Sequence, residues 1–111
     1  MEKIIANFSV KYIQVMSEEG KCDEKLMPNI SKDETKKMYE LMVLTRAFDD
    51  KAVKLQRQGR LGTYASVRGQ EACQIASAIQ MENNDLAFPA FREHGVFFSR
   101  EMPPEKLFQY W

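Results

Sequence analysis

Residues 31–59 read SKDETKKMYELMVLTRAFDDKAVKLQRQG, and this stretch decides the fold. Ser31 stands three residues before Glu34, the spacing of a capping box, in which each side chain meets the other's backbone amide. From there Met38, Leu41, Met42, Thr45, Phe48, Ala52 and Leu55 recur at steps of three and four, which predicts one apolar helical stripe. The helix is expected to run to about Gln58 and stop at Gly59, a length on the order of 40 Å at 1.5 Å per residue. Its methionines are read as core.

Downstream of that helix the chain becomes cationic and glycine-rich. Between Lys51 and Gln70 stand Lys51, Lys54, Arg57, Arg60 and Arg68 with no acidic residue, and Gly59, Gly62 and Gly69 lie in the same window. A basic stretch on a turning backbone suggests an anion, either a phosphate or a carboxylate group. The blander alternatives are that Arg57 and Arg60 cap the helix or pair with acids of another subunit. Gly59 and Gly62 are expected at awkward backbone angles that let residues 60–64 leave the helix.

The remaining pieces are shorter. Residues 8–25 read as an irregular hairpin, because Phe8, Val10 and Tyr12 alternate and Gly20 can take positive φ at its turn. Pro28 breaks the backbone, so the chain divides into an arm and hairpin over 1–30 and a partial domain over 31–111. A second helix is expected to begin near Gly69 and to pack through Ala72, Ile75, Ala76 and Ile79. Leu86-Ala87-Phe88 is expected to be a short buried strand, stopped by Pro89. A last helix begins at Pro104 and leaves Leu107, Phe108 and Trp111 exposed, which predicts self-association. That uncovered face is read as the mark of the N-terminal part of a longer architecture. These pieces read as a mainly helical chain with one hairpin and one strand.

Composition narrows the function classes. The chain has 111 residues with a formal net charge of +0, which argues against a general nucleic-acid binder. No run approaches the roughly 18 apolar residues of a membrane span, and a signal peptide's apolar segment is missing from the first residues. Cys22 and Cys73 lack metal spacing and read as reduced thiols of a cytoplasmic protein, with Cys73 packed on a helix.

Four motifs then fall in order: Met42-Val43-Leu44-Thr45-Arg46-Ala47-Phe48-Asp49, Leu55-Gln56-Arg57-Gln58-Gly59-Arg60-Leu61-Gly62-Thr63-Tyr64, Gly69-Gln70-Glu71-Ala72 and Arg92-Glu93-His94-Gly95. Met27-Pro28-Asn29-Ile30-Ser31 precedes them. Over residues 8–111 the chain resembles the alpha subunits of thiamine-diphosphate-dependent 2-oxo acid dehydrogenases, in particular the bacterial pyruvate dehydrogenase (acetyl-transferring) type. The resemblance implies an α/β thiamine-diphosphate-binding fold in an α2β2 heterotetramer that feeds a lipoyl acyltransferase. It implies oxidative decarboxylation of pyruvate or a related 2-oxo acid, with no nucleic acid or membrane partner.

The family's Tyr-Arg pair at the diphosphate reads Phe91-Arg92 here. The resemblance thus implies cofactor contacts from Arg92 and Phe91, the latter without a phenol hydroxyl. Tyr64 is a third candidate, to line the cofactor cleft or to fill core. His94 is a candidate substrate contact, or else a helix-capping or carbonyl-bonding residue. Ala65 replaces a histidine found in some members. Glu71 is read as a first-turn helix residue.

The family's Gly-Asp-Gly metal motif and its catalytic histidine loop have no counterpart, so Mg2+ ligands and catalytic residues are expected outside these residues. The chain alone is expected to be inactive. The alternative function class is a non-catalytic helical fragment or interaction module that docks onto a dehydrogenase subunit.

Overall fold

A computed structural model describes residues 1–111 as two units, Met1–Ile30 and Ser31–Trp111. In the first, one bridge joins Met16 to Cys22 around a turn in which Gly20 takes φ 79°. Asp23 donates its amide to the Val15 carbonyl at 2.8 Å, and Ser17 donates to Lys21 at 2.8 Å. The expected hairpin shrinks to this turn. Phe8, Val10 and Tyr12 are exposed and belong to no strand. Alternation alone does not hold a two-stranded ribbon, which is marginal without a third strand or a covering helix.

The second unit holds four helices: α1 (Lys32–Arg57), α2 (Glu71–Ile79), α3 (His94–Ser99) and α4 (Pro104–Tyr110). The first begins and ends as its sequence predicts. Ser31 donates its amide to Glu34 Oε2 at 2.9 Å, and the Glu34 amide donates to Ser31 Oγ at 3.1 Å. At the other end Gly59 takes φ 68°, its amide bonds the Gln56 carbonyl, and the Arg60 amide bonds that of Leu55. This pair of bonds across a left-handed glycine closes the helix and satisfies carbonyls that would otherwise lack donors.

The apolar stripe of α1 supplies the floor of the core. Phe48 and Ala52 are buried with Tyr64, Phe98 and Leu107, and Leu41, Val53, Leu61, Met102, Phe108 and Trp111 pack around them. Phe48 is the hub. Its ring centroid lies 4.2 Å from that of Phe108, 5.3 Å from Phe98 and 5.7 Å from His94. Thr45 sits fully buried in the stripe because its hydroxyl donates to the Leu41 carbonyl at 2.7 Å. Met38 and Met42 are only half-buried.

Several expectations fail here for identifiable reasons. Residues 86–88 form no strand, and Leu86 and Phe88 are 79% and 90% exposed. A strand needs a neighbour for its backbone N–H and C=O groups, and no sheet exists to provide one. The buried face of α2 carries Glu71, Gln74, Ile75 and Ala78, while Ala72, Ala76 and Cys73 are exposed. Polar partners waiting at Glu71 and Gln74 rotate the helix away from the face that apolar residues alone suggest.

Leu107, expected to be exposed, is buried at 2%, and Phe108 and Trp111 are half-buried against α1 and the loop after it. Gly62 has no positive φ. Its constraint is proximity: its amide donates to the Trp111 carbonyl at 3.1 Å, and a Cβ there would lie 2.7 Å from that oxygen. No helix is long and apolar enough to cross a membrane.

Candidate functional site

Asp49, on the buried side of α1, is 1% exposed, and a carboxylate so placed must be paired or fully hydrogen-bonded. The loop after α1 provides the bonds. Tyr64 Oη and the Val67 amide both donate to Asp49 Oδ1 at 2.8 Å, and Ser66 Oγ donates to Oδ2 at 2.8 Å. The short segment between Tyr64 and Val67 therefore wraps one side chain of the long helix. Sequence reasoning missed this residue. The available signal was an acid next to Phe48, inside a helical apolar stripe.

His94 opens α3 at 1% exposure, and its Nδ1 lies 3.2 Å from Tyr64 Oη. Tyr64 has a single proton, and it goes to Asp49. Burial, then the bond and charge of Asp49, push the phenol far above its ordinary range. We therefore assign the imidazole hydrogen to Nδ1, donating to Tyr64 Oη, which leaves Nε2 as the acceptor nitrogen. Nε2 has no partner in the fold, and neither does the indole Nε1 of Trp111. Burial lowers the His94 pKa below its usual value, against the opposing pull of Asp49 and Glu93.

Arg92 reaches the same loop from the other side. Its Nη1 donates to the Ser66 carbonyl, while its own carbonyl accepts from Gln74 Nε2 at 3.0 Å. Gln74 Oε1 also accepts the Gly95 amide at 2.9 Å, so one α2 side chain clips both sides of the turn into α3. That helix has no capping side chain of its own, and Gln74 serves in its place. The Arg92 guanidinium lies 5.4 Å from the ring centroid of Phe91, whose side chain is largely exposed.

Behind this segment a cavity of about 280 Å³ opens between α3 and α4, lined in part by Phe91, Glu93, His94, Phe97, Lys106 and Trp111. The fold thus joins Tyr64 to His94 directly and ties Arg92 to them through Ser66 and Asp49. The Phe91 side chain stands apart from that network.

Beside it, Arg46 Nε pairs with Glu71, whose other oxygen accepts the Gly69 amide at 2.9 Å. The Arg46 bond, opposed by burial, holds the Glu71 carboxyl below its ordinary range. Glu71 is a first-turn residue, and it also anchors α2 to α1. The basic run does not converge in the way its sequence suggests. Lys51, Lys54, Arg57 and Arg60 are exposed, and Arg68 pairs with Asp50 at 3.3 Å. Only Lys54, Arg57 and Arg68 border a common groove, and Asp49 and Asp50 share it. No three His, Cys, Asp or Glu side chains meet as a metal site.

The comparisons with known proteins bear on this site. The model of the Dehydrogenase E1 component family matches residues 39–111, which include every residue of the network just described. The chain is 40% identical over 94 residues, 84% of its length, to the pyruvate dehydrogenase E1 component subunit alpha of Bacillus cereus, covering 25% of that protein. It is 44% identical over 89 residues to the subunit of that name from Acholeplasma laidlawii, covering 80% of this chain and 26% of the relative. It is also 45% identical over 74 residues to the 3-methyl-2-oxobutanoate dehydrogenase subunit alpha of Mycobacterium tuberculosis, covering 67% and 20%. The chain spans about a quarter of the length of the curated relatives it matches. No solved structure matches. With the family model matching most of its residues, the chain belongs to the Dehydrogenase E1 component family.

Proposed function

We propose that this chain forms the N-terminal, diphosphate-facing part of a thiamine-diphosphate-dependent 2-oxo acid dehydrogenase alpha subunit. The observation that carries the reading is Arg92. The residue is half-buried and its guanidinium is anchored by Nη1 alone, which leaves Nε and Nη2 without a hydrogen-bond partner in the fold. A planar fork with two free donors suits phosphate oxygens, so the donor chemistry fits a diphosphate. Phe91 contributes an apolar ring beside it and no hydroxyl donor. Tyr64 and His94 stiffen the wall behind them.

When bound, the thiazolium ring of the cofactor supplies the carbanion-stabilising chemistry, and the protein supplies binding and orientation. In this reading Arg92 holds the diphosphate, and the apolar side chains around His94 exclude water. Mg2+ ligands and catalytic residues come from outside these 111 residues. The partners are a beta subunit, in an α2β2 assembly, and a lipoyl acyltransferase. The substrate is pyruvate or a branched-chain 2-oxo acid, the two classes in the relatives' names. The unpaired thiols Cys22 and Cys73 suit a reducing compartment such as the cytoplasm.

Calorimetric titration with thiamine diphosphate and Mg2+, on the chain co-assembled with a dehydrogenase beta subunit, tests the reading. Arg92→Ala is expected to weaken binding by roughly 1.5–3 kcal/mol, the range for a bond to a charged group. Unaltered affinity would remove Arg92 from the cofactor site. Phe91→Tyr, which restores a hydroxyl donor, is expected to leave binding unchanged or to strengthen it.

A further inference from the structure

Arg92 and Asp49 share no hydrogen bond, yet one peptide group joins them. The Ser66 carbonyl accepts from Arg92 Nη1, and the Val67 amide donates to Asp49 Oδ1 at 2.8 Å. That carbonyl and that amide belong to the same peptide unit. A trans peptide is planar, and its C=O and N–H point in opposite directions. Fixing the N–H therefore fixes the direction of the carbonyl. Ser66 Oγ, donating to Asp49 Oδ2 at 2.8 Å, ties down the residue on which the carbonyl sits. An anion at the N–H end also polarises the peptide, which makes its oxygen a stronger acceptor for a guanidinium.

We infer that Asp49 is a positioning residue for Arg92, acting through the Ser66–Val67 peptide. With Nη1 held, the free Nε and Nη2 edge of the fork keeps one direction. Without Asp49 the peptide can rotate, and the arginine regains side-chain freedom that any bound anion would have to remove again. The inference rests on the reading of Arg92 as the diphosphate contact, although the ordering of Arg92 can be measured without any ligand.

The test uses the full chain, inorganic diphosphate as probe, and the Arg92 Nε–Hε resonance as a readout of guanidinium order. Asp49→Asn keeps the size of the side chain and removes its charge. It is expected to broaden or shift that resonance and to weaken diphosphate binding by about 3–10-fold, the worth of one ordinary hydrogen bond. In an Arg92→Ala background the same substitution is expected to change diphosphate affinity no further, because its effect passes through the arginine.

An equal loss in both backgrounds would overturn the inference, since it would mark a merely structural role. An unchanged Arg92 resonance in folded Asp49→Asn would also overturn it. If the wild-type chain binds no diphosphate even when co-assembled with a beta subunit, the cofactor reading of Arg92 fails, and the resonance comparison still decides the positioning role. Should Asp49→Asn not fold, Ser66→Ala removes one of the two Asp49 bonds to residues 66 and 67. A smaller shift of the same resonance is then expected, and its absence counts against the inference.

Discussion

The Gly95 amide donates to Gln74 Oε1 at 2.9 Å, and a Cβ on Gly95 would stand 3.0 Å from that same oxygen and 3.0 Å from Ile75 Cδ1. The start of α3 is therefore seated on α2 at a distance tighter than most Cβ contacts. Gly95→Ala must push Gln74 outward and stretch the bond that caps α3. A loss of about 1–3 kcal/mol is expected, the usual cost of overpacking. Urea denaturation measures it, and a loss below 0.5 kcal/mol, within the range of surface substitutions, would mean that the two helices separate easily.

Tyr64 links the acid of α1 to the imidazole of α3. Tyr64→Phe keeps the ring in the core and deletes the hydroxyl, so Asp49 loses one of its three donors and His94 Nδ1 loses its acceptor. The expected cost is about 1–3 kcal/mol, because a buried nitrogen is left unsatisfied. Thermal or chemical melting of this variant beside Tyr64→Leu separates the hydroxyl from the packing of the ring.

His94 makes stability depend on pH. Its folded pKa lies below its unfolded one, so the unfolded chain binds the proton more readily. Stability from this group is full above about 6.5, the unfolded value, and falls as the pH drops towards the lower folded pKa. A second loss begins below about 4.5, where Glu71, whose folded pKa is also depressed, starts to be protonated in the unfolded chain. Unfolding free energies measured between pH 8 and 4 are expected to show both slopes. His94→Gln is expected to abolish the upper slope alone, and a variant that retains it would assign the titration elsewhere.

Leu107 and Leu86 invite opposite expectations from their surroundings. The first is 2% exposed within the aromatic cluster, and the second is 79% exposed. Leu107→Ala is expected to cost about 2–5 kcal/mol, as large-to-small substitutions in cores do. Leu86→Ala is expected to stay within about 0.5 kcal/mol, the range of surface changes. Equal effects, compared by thermal melting of the two variants, would contradict the packing of α4 on α1.

The parts of this fold that could be read beforehand are those whose partners lie within one helical turn. Ser31 and Glu34 cap each other across three residues, the stripe from Met38 to Leu55 follows the helical period, and Gly59 turns the chain so that its own amide and that of Arg60 bond the Gln56 and Leu55 carbonyls. Each is a local relationship, and the chain's order alone settles it. The family likeness was likewise carried by short motifs in order.

The tertiary structure decided everything whose partner is distant in sequence. Asp49 meets residues 15 to 18 positions away, and Gln74 meets Arg92 and Gly95 from 18 and 21 positions away. Buried polar groups must find donors and acceptors wherever the fold places them, and this demand, rather than apolar periodicity, set the inward face of α2. Alternation at Phe8, Val10 and Tyr12 and the apolar run at 86–88 suggested strands, but a strand exists only when another chain segment supplies its hydrogen bonds. The last helix shows the converse. Leu107 reads as uncovered in sequence because nothing nearby covers it, and Phe48, fifty-nine residues earlier, is in the cluster that does.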